Sequence, residues 1–95
     1  MDKFKNLMSP LKIGSCEIPN RLIVGPMVTN MNFDRGLASE RYIRYHEEKA
    51  KGGWGLIITE DYRTSEHAGG FPHVAGLYNQ EQVESHKKLT EAVHK

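Results

Sequence analysis

The sequence predicts an α/β fold built on parallel strands, and three observations predict it. Two apolar runs stand out, residues 22–24 ("LIV"), hydrophobic at successive positions, and residues 54–60 ("WGLIITE"), the second buried strand. That pattern suits strands covered on both faces, as in a parallel sheet. Between them lies a segment with apolar residues at helical spacing, and a second such segment follows the second run. A strand–helix–strand order of this kind calls for parallel strands joined by a crossover helix.

Each element has a local reason. Residues 11–18, "LKIGSCEI", alternate weakly around Gly14-Ser15 and read as a short hairpin. The first strand covers residues 22–24 or 22–25 and stops at Pro26, which has no N–H to pair. Asp34-Arg35-Gly36 is a turn signal. Ser39 then caps a helix running to about Lys51, with Tyr42, Ile43, His46 and Ala50 on one face. Gly52 and Gly53 stop it, because glycine tolerates the left-handed conformation that closes a helix. After the second strand, residues 61–77 form a long loop, a feature that is usually functional or mobile. Asn79 caps the final helix, with Gln82 three positions on as in a capping box. Val83, His86, Leu89 and Val93 form its apolar stripe, and the helix runs to near Lys95.

A chain of 95 residues is at most one domain. Two parallel strands and two helices cannot cover both faces of a sheet, and the chain stops where a third strand is due. The expectation is therefore that residues 1–95 are the N-terminal piece of a larger α/β fold. Net charge is +1 with the two signs interspersed, which points to neither nucleic acid nor an anionic membrane as partner. No run approaches a signal peptide or a membrane span. The single cysteine, Cys16, cannot form an internal disulfide and suits a reducing, cytoplasmic compartment.

In barrels of parallel strands, ligands bind at the C-terminal strand ends. Two such ends are visible here, Gly25-Pro26-Met27-Val28-Thr29 and Thr59-Glu60-Asp61-Tyr62. Past Pro26 the backbone groups are free of the sheet, so they can serve a flat cofactor with polar edges and apolar faces. The competing reading is a proline that merely ends a strand. Adjacent carboxylates on a strand point to opposite faces, so Glu60 and Asp61 are not an acid–base pair. Glu60 reads as a structural acceptor and Asp61 as solvated. "KGGWG" follows a helix and opens a strand, the reverse of a dinucleotide loop. His67 and His73 share the long loop but no other ligand completes a metal pattern, so no metal site is assigned. His67 remains a candidate to reach a substrate from above the strand ends.

With these residues in view, the whole chain resembles the N-terminal part of the old yellow enzyme family. The similarity is strongest to its 2,4-dienoyl-CoA reductase and NADH:flavin oxidoreductase branch. It rests on "MSPLKIGSCEIPNRLIVGPM", on "ERYIRYHEEKAKGGWGLIITE", and on "GFPHVAGLYN" followed by a helix ending "LTEAVHK". The resemblance implies the N-terminal portion of a (β/α)8 TIM barrel, comprising an opening hairpin plus two βα units. It implies FMN at the strand ends, with Pro26, Met27, Val28 and Asp61 as cofactor-binding positions. It also implies NAD(P)H as hydride donor and an enone or enoyl thioester as substrate. Relatives often carry Thr or Cys at the Val28 position and Ala or Gly at the Asp61 position. Valine cannot hydrogen-bond a flavin edge, and the Asp61 carboxylate is expected to turn toward the loop.

The family's phosphate loops, its substrate-binding His and proton-donating Tyr, and the iron–sulfur cysteines of the longer branch would all lie beyond Lys95. No catalytic residue is therefore assigned, and the 95-residue chain is expected to be inactive alone. The alternative is a stand-alone α/β interaction module without cofactor, oligomerising through its open sheet edge.

Overall fold

The computed structural model describes residues 2–67 and 71–95. A short 3-10 turn precedes a hairpin of β1 (Leu11–Ile13) and β2 (Cys16–Ile18). These strands pair antiparallel with Leu11 opposite Ile18 and Ile13 opposite Cys16. Then come β3 (Ile23–Val24), α1 (Glu40–Lys51), β4 (Leu56–Ile57) and α2 (Gln80–Val93). β3 and β4 are parallel, with Ile23 beside Leu56 and Val24 beside Ile57. The expected order of hairpin and two strand–helix units is the order observed.

The helix boundaries follow from their caps. The Ser39 hydroxyl accepts the Tyr42 N–H at 3.1 Å, and Asn79 Oδ1 accepts the Gln82 N–H at 2.9 Å. Each bond satisfies one of the donors that a helix start leaves free. Glu40 in the first turn of α1 and Lys49 and Lys51 in its last turn suit the helix dipole. Beyond α1 the chain turns at Gly53, whose φ of +101° is costly for any side chain with a Cβ.

α1 packs on both α2 and β4. The core cluster joins Ala38, Tyr42 and Leu89, with Met31, Ile43, Tyr62 and Val93 packed around it. Val24 is buried, and its registered neighbour Ile57 borders a cleft shared with Leu89 and Val93 of α2. Both helices thus serve one face of the strand pair. By alternation Ile23 and Ile58 lie on the other face, and both are exposed.

As expected of two strands and two helices, only one face is covered: among the described residues no element lies over Ile23 and Ile58. One expectation needs correction. The second strand does not span residues 54–60 but pairs only at Leu56 and Ile57. The last ladder bond runs from Ile58 N–H to the Val24 carbonyl at 3.0 Å. β3 then ends at Gly25-Pro26, so Thr59 and Glu60 have no partner strand to continue against.

The long connection after β4 is tied down rather than open. Arg63 and Gly76 form an isolated parallel bridge, and Gly76 N–H donates to the Gly36 carbonyl at 2.9 Å. His73 N–H donates to Asn30 Oδ1 at 2.8 Å, and Asn32 N–H returns to the His73 carbonyl at 2.9 Å. These bonds fasten the connection to the segment that leaves β3. Residues 68–70 of this loop lie outside the described residues.

Candidate functional site

A recess of about 270 Å³ lies beyond the C-terminal ends of β3 and β4. Its lining is Pro26, Met27, Val28, Glu60 and Asp61. The parallel pairing of β3 with β4 points both exits the same way, which is why residues more than thirty positions apart in sequence converge. The four residues expected to bind a cofactor, Pro26, Met27, Val28 and Asp61, therefore stand together, with Glu60 added. His67 is exposed on the connecting loop and does not line the recess.

The two walls differ in character. Pro26, Met27 and Val28 present apolar side chains that are largely uncovered, Met27 being 58% exposed. Among the described residues neither Met27 nor Val28 donates its backbone N–H to any acceptor. The opposite wall is acidic. Asp61 is exposed, whereas Glu60 is only 5% exposed. Thr29 donates its N–H (3.0 Å) and its hydroxyl (2.6 Å) to Glu60 Oε1. Glu60 Oε2 is buried without a partner among the described residues. The expected structural acceptor is thus the role Glu60 fills, and its specific partner was not readable in advance.

A polar cluster lies within the core, beginning one residue past Asp61 at Tyr62. The Tyr42 and Tyr62 hydroxyls are 2.7 Å apart. Burial, then the hydrogen bond to Tyr62, pushes the Tyr42 phenol well above the ordinary tyrosine value. Burial likewise raises Tyr62. The Tyr62 ring meets His86 edge-on at 4.7 Å, and His86 Nδ1 lies 3.0 Å from the Gln82 carbonyl. On α1, His46 is buried between the edges of Tyr42 (4.8 Å) and Tyr45 (5.1 Å). Burial, and secondarily the charge of Lys49, lowers its pKa.

Gln82 is the residue that sequence reasoning undervalued. It is fully buried. Its Nε2 donates to the Arg35 carbonyl at 3.0 Å, and its Oε1 accepts the Tyr78 N–H at 2.9 Å. The reciprocal half of the expected capping box therefore goes to Tyr78 rather than to Asn79. One side chain joins the turn before α1 to the entry of α2.

In barrels of parallel strands ligands bind at the C-terminal strand ends, which is the position this recess occupies. The chain belongs to the NADH:flavin oxidoreductase / NADH oxidase family, whose pattern it matches over residues 6–95. 12-oxophytodienoate reductase 7 of Oryza sativa subsp. japonica is 35% identical over 88 residues, covering 93% of this chain and 22% of that protein. A 2-naphthoyl-CoA reductase solved with 2-naphthoyl-CoA superposes with a TM-score of 0.91 at 30% identity, over 96% of this chain and 14% of that one. The old yellow enzyme from Trypanosoma cruzi gives a TM-score of 0.85 at 31% identity, over 96% of this chain and 24% of that one. The chain thus spans a quarter or less of these relatives. Its hairpin and two βα units have the fold of the N-terminal portion of a (β/α)8 barrel.

The recess fits a flavin by its own chemistry. Apolar side chains suit the faces of a flat ring, and the free N–H groups of Met27 and Val28 suit its polar edge. Val28 offers no side-chain donor, so any edge contact from that position is made by backbone.

Proposed function

We propose that residues 1–95 form the N-terminal part of an FMN-binding barrel domain, with Pro26, Met27, Val28 and Asp61 lining the first part of the flavin seat. The observation that carries this reading is the convergence of both strand ends on one recess in a chain of this family. When bound, FMN supplies a two-electron carrier between NAD(P)H and an activated C=C bond in an enone or enoyl thioester.

This chain's residues contribute position and environment. Pro26 ends the ladder, so that the next amides face the recess instead of a neighbouring strand. Met27 and Val28 exclude water from one side of the seat. Asp61 places a negative charge at its rim, which disfavours an anionic reduced ring close by. The complete barrel is needed for turnover, and the 95-residue chain alone does not reduce enones.

Titration of FMN into the purified chain tests the reading through quenching of flavin fluorescence. Saturable quenching that is weakened by Met27→Asp supports it. Unquenched flavin at millimolar FMN, with a folded chain, contradicts it.

A further inference from the structure

The segment 25–28 forms the apolar wall of the recess, and its anchoring is sparse. At its near end the Val24 carbonyl accepts the Ile58 N–H. At its far end stands Thr29, whose N–H and hydroxyl both go to Glu60 Oε1. Between these two points, among the described residues, Met27 and Val28 donate no backbone hydrogen bond. Glu60 itself is buried and lines the same recess. One carboxylate oxygen thus fixes the wall from the opposite strand exit.

We infer that Glu60 is a positioning residue of the seat: by clamping Thr29 it sets where the Met27 and Val28 amides stand relative to a flat ligand. The inference rests on the flavin reading above and goes beyond it by giving this residue a role. Two bonds to one buried oxygen, at 3.0 and 2.6 Å, tie both the backbone and the side chain of Thr29 to the opposite strand exit. Without it, Thr29 loses both bonds at once, and the amides of Met27 and Val28 are no longer preset. A ligand must then pay the ordering entropy on binding. Glu60 need not touch the ligand for this.

Paired variants separate clamping from bulk stability. Glu60→Ala and Thr29→Val remove, respectively, the acceptor and the hydroxyl donor, whereas Glu60→Gln and Thr29→Ser retain an acceptor and a donor. For each variant of the chain, exchange of the residue-29 amide is followed without ligand, and FMN affinity is read by fluorescence quenching. The expected result is fast Thr29 exchange and affinity weakened about tenfold in Glu60→Ala, a smaller loss in Thr29→Val, and rescue of both readouts in the conservative partners. Should exchange of the residue-29 amide quicken in Glu60→Ala and Thr29→Val while FMN affinity stays within twofold, Glu60 does not position the seat. A wild-type chain with a protected Thr29 amide and no FMN quenching overturns the flavin reading itself and leaves the clamp intact. The two failures are therefore distinguishable.

Discussion

The hydroxyls of Tyr42 and Tyr62 meet at 2.7 Å, joining the first helix to the segment that leaves the second parallel strand. The bond ties the core residue Tyr42 to the residue that follows Asp61 of the recess. Tyr62→Phe removes it from the fully buried Tyr42 side chain. The expected cost is about 1–2 kcal/mol, read as a lower urea midpoint at unchanged m-value.

The same pair makes the fold sensitive to alkali. Both phenols are raised above 10.0 in the folded chain, chiefly by burial. Above that pH the unfolded chain releases protons that the folded chain keeps, so stability falls as pH rises past about 10. Tyr42→Phe is expected to flatten the decline between pH 9 and 11, measured by urea denaturation at each pH.

His46 gives the opposite limb. Its folded pKa lies below 6.5 because burial disfavours the imidazolium and Lys49 repels it. Stability is full above 6.5 and is lost as pH falls from there toward the lowered folded value, since the unfolded chain binds the proton first. His46→Leu is expected to remove most of the loss between pH 7 and 5 in thermal melts. An unchanged slope would show that other groups control the acid limb.

Gln82→Leu keeps the volume but leaves the Tyr78 N–H and the Arg35 carbonyl without their partner. The expected destabilisation is about 2–4 kcal/mol. Gly36→Ala is expected to act on the same junction. Its φ is +70°, and an added Cβ would stand 2.6 Å from Gln82 Nε2. Denaturation curves of the two variants and their double test the coupling, which appears as non-additivity.

Much of this architecture was legible because its causes are local. Ser39 and Asn79 are capping residues ahead of periodic segments, and each helix begins right after them. Pro26 ends a strand for a reason contained in its own ring. The convergence of Met27 and Asp61 was readable once the strands were taken as parallel, since parallel strands share an exit end. What escaped depends on distant partners. Trp54 to Glu60 reads as a full strand by composition, but pairing length is set by β3, which stops at Val24. Gln82 looks like a surface cap until the Arg35 turn is brought beside it. Glu60 reads as an acceptor, yet nothing in its neighbourhood names Thr29 as the donor. The relation of this sequence to its family was carried by whole ordered segments rather than by any single residue.

Val28 gives the prediction most specific to the proposed site. Val28→Thr adds a hydroxyl at the recess without changing side-chain volume much. If a flavin edge lies there, FMN binding is expected to tighten about threefold to tenfold. Asp61→Ala, which removes a rim charge, is expected to strengthen binding of the reduced flavin more than the oxidised form. Anaerobic titrations of both redox states check this difference.

The most direct measurement is an amide chemical-shift map of the isotope-labelled chain during FMN titration. Saturable shifts are expected, centred on Met27, Val28 and Asp61, with Thr29 next and the hairpin of residues 11–18 silent. Shifts centred instead on Trp54, before the start of β4, or none at millimolar FMN in a folded chain, would contradict the proposed seat.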